Sequence, residues 1–252
     1  MHQGGAVVWP MDGGDFAWAA ELMERRRAVY EQFSPVFWKP ADGVRDLHAG
    51  FLRSQVGAGT AVAVRSERGF LVAAIGRDRY DVDDFALQPD GAWEIDGPPL
   101  LEALSGLGPP GGPTRVRVVT ARKDTAKRRM LTDLGLIAVA RWWVRPLRPS
   151  RPAPIGSAEV ELPGVTALLV PAPPVYAPGG PVCILGDVAP EVAVRAAAAA
   201  EAAGAVLVVV TRDASPDPAP EEEPVLAAAG FDDVSEFFEG DLPRADRLPP
   251  LS

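Results

Sequence analysis

Residues 115–147, "RVRVVTARKDTAKRRMLTDLGLIAVARWWVRPL", decide the fold class that we predict for this chain. The segment starts with a run of β-branched residues, continues through a charged turn, and then has a helical pattern ending in Leu-Gly-Leu. It closes with a second apolar run that contains two adjacent tryptophans. A buried strand, a short helix with a glycine just past its end, and a second strand give this pattern. The segment therefore predicts a β-α-β unit.

The same plan recurs at 205–242, "AVLVVVTRDASPDPAPEEEPVLAAAGFDDVSEFFEGDL". Here the helix ends in Ala-Gly-Phe and the last strand carries two adjacent phenylalanines. Strand-helix-strand recurs in any α/β protein, so ordinary alternation is one interpretation. Duplication of one unit is the other, and we favour it.

The pattern over the first 147 residues predicts the order β-α-α-β-β-β-α-β-α-β. Residues 145–157, "RPLRPSRPAPIGS", have the composition of a linker. We predict one domain over 1–147, a linker over 148–158, and a truncated second domain over 159–252. The second domain lacks a counterpart of the first two helices.

Composition excludes several classes of protein. The chain has 252 residues, of which 47% are hydrophobic and 23% charged, as in a globular protein with a core. The net charge of −9 opposes binding to nucleic acid. No apolar run is long enough for a membrane helix and no secretory signal is visible, so we expect a cytoplasmic protein. Cys183 is the only cysteine and we expect it to be buried, while His2 and His48 have no further ligands at metal-binding spacing, so we predict no metal site.

The element order, the "DDFAL" strand at 83–87, the helix opening with Gly and two prolines at 97–99, and the "LTDLGL" ending at 131–136 resemble the GNAT superfamily of acyl-CoA-dependent N-acyltransferases. The resemblance covers 6–147 and, as a shorter copy, about 160–242. It implies an α/β fold with a mixed, mostly antiparallel sheet flanked by helices, which splays after its fourth strand. A second, smaller half-domain of the same kind would follow.

The resemblance also implies a cofactor, acetyl-CoA. Its pantetheine would pair with the backbone of the splayed strand at Phe85, Ala86 and Leu87, and its diphosphate would lie at the start of the next helix. The backbone of that loop would be contributed by Trp93, Ile95 and Gly97. The basic residues Arg122 and Lys123 would either attract the 3′-phosphate or belong to a solvated face.

The chain departs from the family pattern at two places. The phosphate loop carries Glu94 and Asp96, which repel a diphosphate, and the prolines 98–99, which lack N–H donors. The family's tyrosine, the acid that protonates the leaving thiolate, would fall at Leu131 in the first copy and Leu226 in the second. Both departures favour a protein that has lost acyl transfer.

Candidate residues for chemistry lie on the strand and on the loop between the first two helices. Asp83 or Asp84 could accept a proton from an amine, although side chains alternate along a strand and only one of them should face a substrate. Their other interpretation is a solvated strand end. Tyr30, Phe37 and Trp38 would wall an acceptor pocket or cover the sheet edge. Of the paired tryptophans at 142–143, we expect one to pack against the second unit.

Two functions remain open at this point. One is transfer of an acetyl group from acetyl-CoA to the amine of a small molecule or peptide, without nucleic acid or membrane, by a monomer or homodimer. The other is a catalytically degenerate binding or scaffold protein derived from this fold. A further idea concerns assembly: the second unit would mimic the partner subunit of a dimer.

Overall fold

A computed structural model of the chain describes residues 7–89, 91–153, 156–214 and 222–243. His2, part of the linker and much of the acidic run around 221 lie outside these residues. The strands are β1 (Trp9–Pro10), β2 (Ala61–Arg65), β3 (Gly69–Ile75), β4 (Arg79–Leu87), β5 (Arg115–Ala121), β6 (Ile137–Pro146), β7 (Ala158–Leu162), β8 (Val165–Val170), β9 (Val182–Leu185), β10 (Leu207–Asp213) and β11 (Asp232–Asp241). The helices are α1 (Asp15–Glu31), α2 (Val44–Gly57), α3 (Trp93–Leu107), α4 (Thr125–Asp133), α5 (Pro190–Ala202) and α6 (Glu222–Ala228).

All eleven strands described belong to one mixed sheet, in the order β1-β2-β3-β4-β5-β11-β6-β10-β9-β8-β7. The pairs β4–β5 and β9–β10 are parallel, and every other neighbouring pair is antiparallel. The predicted α/β class with a mostly antiparallel sheet is confirmed.

The strand order is symmetric about the boundary between β11 and β6. The run β7-β8-β9-α5-β10-α6-β11 repeats the run β2-β3-β4-α3-β5-α4-β6 in element order and in pairing. However, the last strands are exchanged between the copies. β11, from the second copy, pairs with β5 of the first, and β6, from the first copy, pairs with β10 of the second. The two sequence segments therefore share their central strands within one sheet, and the residues between β6 and β7 connect them along the chain; the domain boundary at 148–158 stays a prediction.

Both copies end their last helix with the same backbone turn. Gly135 and Gly230 have φ of 82° each, the left-handed conformation that glycine adopts without strain. The N–H after each glycine donates to the carbonyl five residues earlier, Leu136 to Leu131 at 3.1 Å and Phe231 to Leu226 at 3.0 Å. This is the Schellman arrangement of a helix end.

Apolar residues form separate clusters on the two faces of the sheet. On one face, α3 and α4 cover the first half and α5 and α6 cover the second half. On the other face, α1 and α2 cover only the first half. Cys183 is buried as expected, and burial raises the pKa of its thiol to about 11. None of the described helices is both long enough and apolar enough to cross a membrane.

The start of α3 differs from the sequence prediction. The helix begins at Trp93, so Pro98 and Pro99 lie inside it rather than at its opening. Proline lacks the N–H donor that a helix interior requires, so the sequence predicts that the helix opens at Gly97, with both prolines in its first turn. The burial of Trp93, with its ring against Phe85 at a centroid distance of 4.8 Å, anchors an earlier start.

A candidate ligand site between the two halves

A cavity of about 580 Å³ lies beside α1 and α2, at the boundary between the sheet face that these helices cover and the uncovered face of the second half. Its wall combines both halves of the chain and is mostly apolar. Residues 39–41 and 175–177 join the halves at its edge, since Ala41 N–H donates to Val175 at 3.1 Å and Ala177 N–H donates to Lys39 at 2.9 Å. The apolar part contributed by the second half comprises Val170, Val182, Ile184, Leu207 and Val209. Volumes of this size are typical of sites for small organic molecules.

Asp83 and Asp84 both line this cavity. The expectation that only one of them could do so was wrong, because β4 contains a bulge. Val72 of β3 pairs with Asp84 and Ala74 pairs with Asp81, so β4 has one more residue than β3 between these pairs. A bulge interrupts the alternation of side chains and so lets both carboxylates reach the same cavity.

The two carboxylates have opposite electrostatic surroundings. Asp83 is exposed to the cavity, whose walls enclose its carboxylate on the other sides. This partial burial raises the pKa of Asp83, and the negative charges of Asp84 and Asp81 raise it further. Burial also acts to raise the pKa of Asp84. There, the electrostatic interaction with the N–H of the His48 ring, the hydrogen bond that this ring donates and the charge of Arg27 outweigh burial, so the pKa of Asp84 is lowered.

Asp84 belongs to a buried polar cluster with Arg27 and His48. His48 Nε2 lies 3.0 Å from Asp84 Oδ2, and Arg27 Nη1 lies 3.2 Å from His48 Nδ1. A guanidinium has only donors, so Nδ1 accepts and the ring proton resides on Nε2, where it is donated to Asp84. His48 is 1% exposed, and these two partners satisfy both of its nitrogens.

Lys127 closes the gap between β4 and β5. The parallel pairing of these strands ends at Val82 and Val118, and beyond it they diverge. The Nζ of Lys127 donates to the carbonyl oxygens of Phe85 at 3.5 Å and Val119 at 3.0 Å, one on each strand. The side chain is only 2% exposed and lines the cavity.

The surroundings of Lys127 favour its neutral form. Burial lowers its pKa well below the ordinary value and the positive charge of Arg26 lowers it further, although Asp83 and Asp84 act in the other direction. The rings of Phe85 and Trp93 lie 5.1 and 5.4 Å from Nζ. Such cation–π contacts contribute about 0.5–2 kcal/mol, whereas burying an ammonium costs several kcal/mol even after relaxation.

Aromatic side chains form a continuous wall from the first half into the second. Ring centroids are 5.1 Å apart for Tyr30 and Trp38, 4.6 Å for Phe37 and Trp38, and 6.0 Å for Phe37 and Trp142. The structure thus places all three predicted acceptor-side residues, Tyr30, Phe37 and Trp38, at the cavity; their contact with a substrate stays a prediction. Trp142 lines the cavity beside Phe237, and Trp143 is buried in the core of the second half.

Three buried polar atoms of wall residues have no hydrogen-bond partner among the described residues. They are Nε of Arg27, Nε1 of Trp38 and Oγ1 of Thr120. Buried polar groups in folded proteins are usually hydrogen-bonded, so orphaned atoms at a cavity suit the polar group of a ligand.

The start of α3, where the resemblance places a diphosphate, holds an anion of the protein itself. The side chain of Asp96 is 3% exposed and its Oδ2 accepts from the N–H of Ala92 at 2.9 Å. Glu94 adds a second negative charge in the first turn. A Cβ on Gly97 would approach Met130 Cε to 2.9 Å, so this glycine packs against α4. The third predicted loop residue, Ile95, is exposed.

The basic residues after β5 are largely neutralised by the second copy. Arg122 pairs with Asp233 at 2.8 Å and with Glu236 at 3.2 Å, and Arg128 also pairs with Glu236. Glu236 is 2% exposed, so these pairs are part of the interior between β5 and β11. Lys123 is exposed.

These residues do not fit a bound acyl-CoA. The helix end that would take the diphosphate is capped by Asp96, and Lys127 and Trp93 occupy the space between the diverging strands beside Phe85. Ala86 and Leu87 are buried and pair with β3 at Phe70 and Gly69. The positions of the missing tyrosine, Leu131 and Leu226, are buried in the cores at 0% and 1% exposure.

Of the residues that line the cavity, the sequence identifies the carboxylates and the aromatic residues as site candidates, but not Lys127, Arg27 or His48. For Lys127 one local signal existed: a cation in the first turn of a helix opposes the helix dipole. Arg27 and His48 are on different helices, and no local pattern joins them to Asp84.

Neither a family model nor a curated protein matches the chain. Among solved structures, a proposed acetyltransferase from Thermoplasma acidophilum is 10% identical, with a TM-score of 0.57, covering 93% of this chain and 99% of the other. A GCN5-related N-acetyltransferase from Sphaerobacter thermophilus is 13% identical, with a TM-score of 0.48 and coverages of 94% and 96%. A proposed acetyltransferase from Salmonella typhimurium, whose structure contains acetyl-CoA, is 14% identical, with a TM-score of 0.43 and coverages of 56% and 84%.

At these identities the likeness concerns the fold alone. The Thermoplasma structure matches nearly the whole of both chains, so the match includes both halves of this one. The chain therefore has the GNAT fold over both of its copies, as the resemblance predicted.

Proposed function

We propose that this protein binds a small, largely apolar molecule in the cavity between its two halves, without acyl-CoA. The observation that carries the proposal is the cavity itself: about 580 Å³, with a mostly apolar wall and with Asp83 exposed in it. A pocket with a few convergent polar groups is the usual form of a small-molecule site. The orphaned atoms of Trp38 and Thr120 supply two further polar contacts.

The charge distribution supports a small molecule rather than a nucleic acid. Arg122 and Arg128, the strongest basic cluster of the sequence, are already paired with acids of β11. The net charge of −9 repels a phosphate backbone.

The test is binding of N-phenyl-1-naphthylamine, an apolar dye whose fluorescence rises when it leaves water. We expect micromolar binding by the intact chain. Ala172→Trp, a substitution on a loop at the cavity wall, should remove it by filling the space. The matched control is Ala58→Trp, at an exposed position just past α2, which should leave binding unchanged. Equal binding by both variants would mean that the dye binds elsewhere, and the proposal would fail.

A second candidate is transfer of an acyl group to an amine, and Asp83 is the observation that favours it. A carboxylate with a raised pKa, facing a cavity beside diverging strands, can accept a proton from an ammonium group. Calorimetric titration with acetyl-CoA separates the two candidates. We expect no heat at millimolar concentration, because Asp96 and Lys127 fill the places of the cofactor. Micromolar binding would replace the first proposal with the second, and Asp83→Asn should then lower kcat.

A further inference from the structure

Lys127 differs from the other lysines of the chain in its position. The sequence contains only three lysines, and Lys39 and Lys123 are exposed. Lys127 is buried, yet it lines the cavity that we propose as the ligand site. A nucleophilic amine within an apolar cavity is a reactive group that the proposed function has not used.

Three features of its surroundings disfavour protonation of its amine. The residue lies in the first turn of α4, where the positive end of the helix dipole opposes a cation. Arg26 lies over the Trp93 ring at 4.6 Å, so a second cation shares this ring with Nζ. Within the described part of the chain, Nζ has hydrogen bonds to two backbone carbonyls and no ion pair with a carboxylate. The lowered pKa of Lys127 agrees with this geometry.

We propose that Lys127 captures an apolar aldehyde in the cavity as an imine. The inference rests on the proposed function, because the aldehyde must first occupy the cavity. A desolvated lysine near another cation is a nucleophile toward carbonyl carbon. An apolar aldehyde matches the site, since the wall is mostly apolar and the hydrogen bonds of Nζ within the described residues go to backbone carbonyls rather than to a carboxylate.

The step balances within the site. The nitrogen lone pair of Lys127 forms a bond to the carbonyl carbon as the π electrons move to oxygen, and transfer of one proton from nitrogen to that oxygen gives a carbinolamine. Loss of a proton from nitrogen and departure of the hydroxyl group with a proton release water and leave the C=N bond. Asp83, exposed to the same cavity and with a raised pKa, can carry a proton in this exchange.

Because the chain contains only three lysines, the reactivity of Lys127 can be compared directly with that of the other two. The intact protein is incubated with equimolar benzaldehyde and sodium cyanoborohydride at neutral pH, and labelled lysines are located by peptide mass spectrometry. Each unit by which a lysine pKa is lowered gives a tenfold larger neutral fraction at this pH. We therefore expect Lys127 to be labelled at least about tenfold more than Lys39 and Lys123. Preferential labelling of the exposed lysines would overturn the inference.

Variants and a competitor locate the reaction. Lys127→Met should lose the dominant adduct, while Lys123→Met should retain it. On the wild-type chain, saturating N-phenyl-1-naphthylamine should protect Lys127 and leave the two exposed lysines reactive, and this measurement does not depend on folding of a variant. Dye binding without labelling of Lys127 would refute the imine and leave the proposed function standing. Absence of both dye binding and labelling would refute both.

Discussion

At the scale of single residues, the polar end of the cavity contains one well-partnered carboxylate and one isolated amine. Asp84 receives a hydrogen bond from His48 and lies 3.8 Å from Arg27, whereas the hydrogen bonds of Lys127 within the described residues go to two backbone carbonyl oxygens. Removing the two groups should have opposite effects on stability, because loss of Asp84 leaves Arg27 buried without its carboxylate, whereas loss of Lys127 removes a buried amine that has no ion pair among the described residues.

Asp84→Ala should lower the free energy of unfolding by about 3–5 kcal/mol, since it leaves Arg27 buried without its carboxylate. Asp81→Ala, on the same strand and three residues before Asp84, is the matched control. Asp81 pairs with the half-buried Arg79 at 3.0 Å, and its loss should change stability by less than about 1 kcal/mol. Urea unfolding at pH 7 measures both.

The lowered pKa of Asp84 gives this prediction a pH dependence. In the folded state the carboxylate stays ionised at pH values where the unfolded chain is already protonated. Its stabilising contribution is therefore complete above the ordinary aspartate pKa of about 3.9 and is lost as pH falls through the lowered value. The difference between wild type and Asp84→Ala should shrink as the pH falls below about 4 into stronger acid. A difference that stays constant in acid would contradict the ion pairing.

Lys127 should show the opposite slope. Between its lowered pKa and the ordinary lysine value of about 10.4, the unfolded chain binds a proton that the folded chain does not. Unfolding is then favoured at lower pH, so the stability of the wild type relative to Lys127→Met should rise as pH increases through this window. Taking the difference removes the titration of Cys183 and the tyrosines, which both proteins share. Urea unfolding at about pH 7, 8.5 and 10 measures this stability difference. A difference that does not change with pH would mean that Lys127 is protonated in the folded protein.

At the scale of elements, the repeated helix ending makes a quantitative prediction. Gly135 and Gly230 both have φ of 82°, and nothing lies within 4 Å of a Cβ added at either position. Alanine there would face only the conformational penalty of the left-handed region, about 1–2 kcal/mol. Gly106, inside α3 and also with free space, lacks the positive φ, so Gly106→Ala should stabilise by about 0.5–1 kcal/mol. Thermal unfolding of the three variants gives the comparison, and a neutral effect at Gly135 would contradict the Schellman turn.

Elements were predictable from the sequence where local pattern decides them. The segment 115–147 yields β5, α4 and β6 in the predicted order, because strand periodicity and the glycine after the helix are local properties. The exchange of β6 and β11 was not predictable, since periodicity does not specify which strand lies beside which. The same distinction applies to the site: aromatic residues on one loop were found, whereas the burial of Lys127 depends on contacts with β4 and β5.

At the scale of the whole molecule, the symmetry places one ion pair at the centre. Arg141 lies six residues after Gly135, and Glu236 lies six residues after Gly230. The two residues are paired with each other across β6 and β11. Their neighbours pair symmetrically, Trp142 with Ser235 and Ala140 with Phe237. Equivalent positions of the two copies thus carry opposite charges where they meet.

Separate halves should therefore recombine. A fragment of residues 1–153 lacks β11, so β5 loses a neighbour and β6 loses both β10 and β11. A fragment of residues 156–252 lacks β6. We expect each alone to be poorly folded and the mixture to form a one-to-one complex, because unpaired strands of this length associate readily. Size-exclusion chromatography with light scattering tests this, with the uncut chain as the reference. A stable monomer of 1–153 with cooperative unfolding would contradict it.

We expect the central pair also to determine which complex forms. If two 1–153 fragments exchanged β6 strands, Arg141 of one copy would take the place of Glu236 beside Arg122, Arg128 and the other Arg141. Like charges brought together in this way cost several kcal/mol, so the homodimer should be disfavoured. Arg141→Glu in the fragment would place a carboxylate against Arg122 and Arg128, as Glu236 does in the whole chain. The two introduced carboxylates would face each other across the axis, with two arginines beside each. We expect this single substitution to convert fragment 1–153 into a homodimer, while Arg145→Glu, on the same strand but away from the centre, should not. Equal dimerisation of both variants would mean that the charges at the axis do not select the partner strand.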